Sequence, residues 1–384
     1  MKWRNKGHEY DAVYQKMAEK RSFYLFGAGD YGRQFINTLS AEIQINGYID
    51  NDLNKQGDSI QGKKCYSLEE INLAPDEGII ITMSQLARIV PMEQLKQRGY
   101  VENEDFFVIE EFLSVYNVYK NDRVYFSGIS FLPSTICNLK CRHCLNFNPF
   151  AKEYYVREWD ALVKDVDLFF SCVDRIMLFH ISGGEPMLYK HTADLVEYID
   201  KNYGHRIDKL RTVTNGTIVP DNEILEKLAR YHVEVTVDDY REAVPQFREK
   251  FDKVIGKLEE FHVDYYINKV DNWIDLAPEK TDYSAMTDEQ LEAHRSACNQ
   301  SWQELRDGKL YSCNYAAYAT VAGIAGEQDL EESYDLTQFT SEKKKELVEF
   351  RLGYTTKGYT NFCRKCRGFT LENKDKVMPA MQVK

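Results

Sequence analysis

The sequence predicts an α/β protein built on parallel strands, and three observations carry that prediction. From about residue 22 onward, short apolar runs alternate with longer helix-like stretches, the order that builds parallel sheets. Strand-like runs end in small polar turns that open helices, at Gly27-Ala28-Gly29, Ser182-Gly183-Gly184 and Thr214-Asn215-Gly216. A chain of 384 residues is also long enough for about two or three domains, each with its own core. No internal repeat or low-complexity tract interrupts the alternation.

In chain order, a polar, helix-like leader precedes the strand-like Ser22 to Phe26, which runs into Gly27-Ala28-Gly29-Asp30-Tyr31-Gly32 and a helix-like stretch to Leu39. This is G-x-G-x-x-G between strand and helix, the context that gives the motif meaning. Gly27 permits the tight turn, and Gly29 admits a phosphate to the helix N-terminus. A second strand, Gln44 to Ile49, ends at Asp50, whose carboxylate can hold a ribose hydroxyl. Gly78 to Thr82 is a third strand, followed by a helix from Ser84 to Arg98. The same glycines also suit a strand–helix turn that binds nothing. The wording over about residues 20–110, continuing through Lys55-Gln56-Gly57 and Gly62, resembles the small Rossmann-like domains of sugar-modifying enzymes in surface-polysaccharide pathways. That resemblance implies a domain over residues 1–115 and a nucleotide or sugar nucleotide at Gly27, Gly29, Gly32 and Asp50.

After the strand-like Val124 to Ile129 comes Cys137-Asn138-Leu139-Lys140-Cys141-Arg142-His143-Cys144, three thiols within one loop. Soft thiolates suit iron–sulfur clusters, and three of them leave one iron of a cube open to a small molecule. A structural zinc site would want four ligands in two separated pairs. One β/α unit later, the apolar Ile176 to Ile181 ends in Ser182-Gly183-Gly184-Glu185-Pro186, where two glycines admit close backbone approach and Glu185 offers an acceptor. The C-x3-C-x2-C loop followed by GGE resembles the radical S-adenosylmethionine (SAM) enzymes. The resemblance implies a partial (β/α)6 barrel over residues 116–290. It also implies a [4Fe–4S] cluster on Cys137, Cys141 and Cys144, with SAM held by Gly183, Gly184 and Glu185. Reductive cleavage of SAM would then yield a 5′-deoxyadenosyl radical that removes hydrogen from a substrate.

The strand–helix order continues: helices Val156–Cys172, His191–Asn202, Asp221–Tyr231 and Phe247–Phe261 alternate with strands Leu210–Val213, Val233–Val237 and Val263–Asn268. Thr214, Asn215 and Asp238 fall at strand C-terminal ends, where barrel chemistry sits. Asn215 and Asp238 are candidate ribose or substrate contacts, and ordinary strand-end caps are the equal alternative. Tyr266, Asn268 and Trp273 are substrate candidates by position. The residue before the third cysteine, often aromatic in such loops, is His143, read here as an exposed loop residue.

Cys298, nine residues, Gly308, four residues, Cys313, and then Cys363-Arg364-Lys365-Cys366 supply four more thiols. Four cysteines in pairs suit zinc. Their spacing resembles the Twitch and SPASM auxiliary domains, and that resemblance implies a second, fully ligated [4Fe–4S] cluster over residues 291–384. Asp307-Gly308 reads as a hairpin turn bringing Cys298 and Cys313 together. No cysteine follows Cys366, which favours the one-cluster Twitch form. Cys65 and Cys172 read as buried small hydrophobes, not hydrogen donors.

A formal charge of −12, from 49 basic and 61 acidic side chains, argues against nonspecific binding to nucleic acid or anionic membrane. No membrane-spanning run or signal peptide is visible, so the nine cysteines are expected reduced, in the cytoplasm, serving metal. The favoured function is a radical SAM oxidoreductase acting on a sugar, aminocyclitol or sugar nucleotide, with Twitch-bearing aminocyclitol dehydrogenases as mechanistic analogue. The alternatives are peptide or protein modification (thioether formation or sulfatase maturation) and a cluster-bearing sensor. Flavodoxin or ferredoxin is the expected reductant.

Overall fold

The computed structural model describes all residues except 86, 299–301, 371 and 384, and leaves undescribed the side chains of residues 30, 35, 37 and 38. The predicted helix from Ser84 to Arg98 therefore includes one residue, Leu86, outside the described set. The chain divides into two compact units, residues 7–122 and residues 1–6 with 123–384.

The smaller unit comprises α1 (Asp11–Glu19), β1 (Ser22–Phe26), α2 (Asp30–Ser40), β2 (Gln44–Ile49), β3 (Ser59–Ile60), β4 (Lys63–Tyr66), β5 (Glu77–Ile81), α3 (Ile89–Gln97), β6 (Phe106–Val108) and α4 (Ile109–Lys120). Its sheet runs β3-β4-β2-β1-β5-β6 and is parallel except for β3 against β4. Three of the six strands were not legible in sequence. β3 and β6 are only two and three residues long, and β4 carries two lysines. The first strand lies between the second and the fifth, so strand order reverses at the end of β1, where ligands of open α/β sheets bind. Fully buried Phe26, Ile49, Ile79 and Phe106 form one face of the core.

The larger unit holds β7 (Tyr125–Phe126), β8 (Ile129–Phe131), α5 (Trp159–Cys172), β9 (Arg175–Ile181), α6 (Thr192–Tyr203), β10 (Ile207–Thr214), α7 (Asn222–Arg230), β11 (Glu234–Asp238), α8 (Arg248–Glu260) and β12 (Tyr265–Asn268). After these come β13 (Trp273–Ile274), α9 (Asp288–Ser296), β14 (Glu304–Arg306), β15 (Lys309–Tyr311), α10 (Asn314–Val321), β16 (Ser333–Asp335), α11 (Lys344–Arg351) and β17 (Lys376–Val377). Five strands, β8 to β12, form the parallel run, with β7 pairing the start of β9. The expected sixth barrel strand is absent among the described residues: after β12 the chain forms β13, which pairs antiparallel with β17 instead. On the other edge β14 joins β8 in parallel, and β15 and β16 follow antiparallel, so the hairpin extends the same sheet.

The hairpin turn falls at Asp307-Gly308, both residues in the left-handed region (φ 54° and 73°). That is the backbone a two-residue hairpin requires. The buried carboxylate of Asp165, on α5, accepts from both turn amides, Asp307 N (2.8 Å) and Gly308 N (2.7 Å), and pairs with Arg157. An aromatic layer of Phe126, Phe131, Phe169 and Phe179 seals α5 onto the sheet. No helix among the described residues is long and apolar enough to cross a membrane.

Candidate metal centre and strand-end site

The three thiols of the first loop sit directly beyond β8, and none of the nine cysteines is in a disulfide. Backbone turns hold the loop: Cys144 N donates to Cys141 O (3.1 Å) and Phe147 N to Cys144 O (2.9 Å). Leu139 N points at Cys137 Sγ (3.4 Å), and the Asn215 amide reaches the same sulfur at 3.7 Å. Burial pushes the Cys137 and Cys141 thiols up to about 12 and raises Cys144 as well, with the neighbouring sulfurs adding to the first two. Without a cation these thiols keep their protons, and binding iron would release them. No group of three or more His, Cys, Asp or Glu side chains able to hold a metal ion is found among the described residues. By donor chemistry the loop nevertheless fits an iron–sulfur cluster: three uncommitted sulfurs with N–H groups directed at two of them.

Ser182-Gly183-Gly184-Glu185 lies at the end of β9, pressed against the chain that leads into the loop. Gly184 N donates to Ser134 O (3.0 Å) and Glu185 N to Ile136 O (2.6 Å). A Cβ on Gly183 would stand 2.8 Å from Ser134 O, and one on Gly184 would collide with the carbonyl oxygens of Thr135 and Ile136. The glycines therefore admit the protein's own backbone. Glu185 is buried, and its carboxylate accepts from Thr214 Oγ1 (2.9 Å), Asn215 N (2.8 Å) and Met187 N (3.2 Å). Burial raises it to about 7 despite those three donors. It ties β9 to the end of β10, a role the sequence did not reveal.

Asp238, at the end of β11, receives the Asn268 amide (2.7 Å) and the Tyr240 hydroxyl (2.8 Å). Trp273 meets Tyr240 edge-on at 5.6 Å, and both pack against the apolar cluster of Leu139, Cys141, Val244 and Ala380 that Cys137 and Cys144 also adjoin. Thus Thr214, Asn215, Asp238, Asn268 and Trp273 gather around the loop, whereas Tyr266 is 40% exposed with Arg211 over its ring. His143 is not an exposed loop residue as expected: it is half-buried, with Nδ1 3.3 Å from Asp275 Oδ1. A cavity of about 570 Å³ opens at the opposite strand ends, lined by Ile207, Asp208, His232 and Asp264 among others.

The second cysteine set converges around Arg295 of α9. Burial works against the charge of this guanidinium, and Cys313, Cys298, Cys363 and Cys366 lie near enough to raise it. Gly368 N and Phe369 N point at Cys366 and Cys298 Sγ (both 3.3 Å), and Thr360 Oγ1 lies 3.5 Å from Cys363 Sγ. From the same region Tyr318 of α10 reaches Ser182, one residue before the glycine pair, at 3.0 Å. Arg295, Tyr240 and Tyr318 carried no motif that sequence could flag. Cys65 and Cys172 are buried, and burial raises both thiols.

In the smaller unit, Gly27 and Gly32 meet: a Cβ on Gly32 would collide with Gly27 O, while nothing lies within 4 Å of one on Gly29. The Asp50 carboxylate accepts from Ala28 N (2.9 Å), Asp52 N (2.9 Å) and Lys55 Nζ (3.1 Å). Burial works against its charge, but these donors hold it below the usual carboxylate range. It is thus engaged within the glycine turn.

Residues 131–267 match the family model described as radical SAM superfamily, and residues 19–104 match one described as C2185-like, N-terminal. No curated protein sequence matches the chain. Among solved structures, native anSMEcpe with bound AdoMet and Kp18Cys peptide is 21% identical over 38% of this chain and 43% of that chain, with a TM-score of 0.32. BtrN in complex with AdoMet and 2-DOIA is 17% identical over 66% of this chain and 98% of that one, with a TM-score of 0.40. Streptococcus suis SuiB bound to S-adenosylmethionine is 18% identical over 50% and 40%, with a TM-score of 0.30. The chain thus spans less than half the length of that anSMEcpe complex and of SuiB.

Proposed function

We propose that this chain, through the radical SAM domain that residues 131–267 carry, reductively cleaves S-adenosylmethionine and uses the resulting radical to oxidise a sugar, aminocyclitol or sugar nucleotide. The observation that carries the reading is the meeting of the cysteine loop with the GGE turn and the end of β10. Asn215 binds Glu185 through its backbone and approaches Cys137 through its amide. In this reading Cys137, Cys141 and Cys144 hold a [4Fe–4S] cluster, which with SAM on its open iron supplies a 5′-deoxyadenosyl radical.

The chain's own residues bind and orient. Gly183 and Gly184 lock the turn beside the loop, and Glu185 fixes Thr214 and Asn215 through its carboxylate. Asn215 and Asp238 present polar groups for the ribose or substrate. Leu139, Val244 and Trp273 exclude water from the sulfurs. Cys298, Cys313, Cys363 and Cys366 would hold a second cluster, able to take up one electron in a net oxidation, and the Arg295 cation among them suits an anionic centre. In the smaller unit Gly29 leaves open space where a nucleotide phosphate fits. A small low-potential protein of the flavodoxin or ferredoxin type would deliver the electron.

The test is anaerobic reconstitution with iron and sulfide, for wild type and for a Cys137→Ala, Cys141→Ala, Cys144→Ala triple variant. About eight irons in wild type and about four in the variant are expected. 5′-Deoxyadenosine should form with dithionite in wild type only, and sugar and peptide panels then identify the substrate class. Zinc in the C-terminal set would remove the argument for oxidation.

A further inference from the structure

The segment Lys376–Val383 lies across the first cysteine loop, and the radical SAM reading gives it no role. It enters as β17, paired with β13, and leaves as an antiparallel bridge between Gln382 and Cys141. Arg142 N donates to Met381 O (2.6 Å), and Val383 N donates to Lys140 O (2.8 Å). Between these bonds Ala380 is fully buried, seated on Leu139, Cys141 and Val244 beside Tyr240 and Trp273. The Gln382 amide makes three contacts. Its oxygen accepts from Lys140 N (2.8 Å), and its nitrogen donates to Ala380 O (2.6 Å) and points at Cys141 Sγ (3.4 Å).

We infer that this segment is a strap that presets the cysteine loop and shields its middle sulfur, with Gln382 as the positioning residue for Cys141. The loop connecting its three cysteines has few regular backbone bonds of its own, so a neighbouring strand supplies what it lacks. A strap of about eight residues held by one short β-pair and a few loop bonds can also open locally at much lower cost than the barrel. An N–H directed at a ligating sulfur makes an iron–sulfur centre easier to reduce, and excluding water from it counts as well. This inference rests on the reading of Cys137, Cys141 and Cys144 as cluster ligands, but the bonds that seat the segment run between protein atoms alone.

The experiment therefore begins on metal-free protein, with iodoacetamide labelling read cysteine by cysteine by mass spectrometry. Removing residues 376–384 should speed labelling of Cys141 by at least about tenfold, with Cys298 and Cys363 unchanged. The Gln382→Leu variant keeps Ala380 and the backbone bridge but removes the amide. After reconstitution its loop cluster should titrate at a more negative potential by electron paramagnetic resonance, with the second centre unmoved. Gln382→His, which retains an N–H donor, should recover part of the shift. Equal Cys141 labelling in the shortened and full chains would overturn the strap. An unchanged potential in Gln382→Leu would overturn the role of Gln382. If no iron enters the loop at all, the radical SAM reading fails, while the labelling result still decides the strap.

Discussion

Replacing Gly184 by alanine tests whether the GGE turn builds the cysteine loop. The new Cβ would stand 2.6 Å from the carbonyl carbon of Ile136 and collide with the oxygens of Thr135 and Ile136. These are backbone atoms, so no side chain can swing aside. Overpacking of this kind costs about 1–3 kcal/mol, and weakening the Gly184 and Glu185 amide bonds to Ser134 and Ile136 adds about 1 kcal/mol each, for a total of roughly 3–5 kcal/mol. Because residues 134–136 lead straight into Cys137, the displacement also moves a ligand. Urea unfolding of the metal-free protein should show the loss of stability, and the iron content after reconstitution should fall from about eight to about four. Gly256, on α8 with nothing within 4 Å of an added Cβ, is the control: its alanine variant should be neutral or stabilised by up to about 1 kcal/mol. A Gly184→Ala protein with wild-type midpoint and about eight irons would refute the argument.

Three other outcomes follow from the larger unit. Burial lifts Glu304 from 4.5 to about 8, with Arg306 and Arg157 opposing the shift. The folded chain therefore keeps a proton that the unfolded chain releases, and this contribution to stability is lost as pH rises from about 4.5 toward 8. Glu304→Gln should flatten that slope by a few kcal/mol in urea midpoints measured against pH, and parallel curves would sink the idea. Asp165→Ala removes the acceptor of both hairpin amides and leaves Arg157 buried without its carboxylate, so a loss of about 3–5 kcal/mol is expected by denaturation. Gly308→Ala forces a side chain into a φ of +73° and should cost about 1 kcal/mol, with the same assay deciding.

Much of the site was legible as motif because its chemistry is local in sequence. The three thiols of one loop, the two glycines before Glu185, and the Asp307-Gly308 turn each state their requirement within a few residues. The alternating runs likewise located β9 to β12 to within a few residues, since period and length are set by which face each segment buries, whereas the run from Val124 to Ile129 covers β7 and reaches only the first residue of β8. Where the local signal is short, it failed. β3 and β6 have two and three residues, too few for alternation to register.

What the tertiary structure alone decided is pairing across distance. The family resemblance implied a sixth parallel strand, but β13 finds its partner in β17, more than a hundred residues later, and β14 takes the free edge of β8. Sequence marked Glu185 as an acceptor, and only the fold shows that its carboxylate accepts from Thr214, Asn215 and Met187. Sequence marked Asp50 as an acceptor, and only the fold shows that the Ala28 amide and Lys55 donate to it. Nothing near Gln382 marks it as a neighbour of Cys141, because a hydrogen bond between residues 241 positions apart leaves no local pattern. Residue type fixes which chemistry a side chain can do, and only the folded chain fixes which partner satisfies it first.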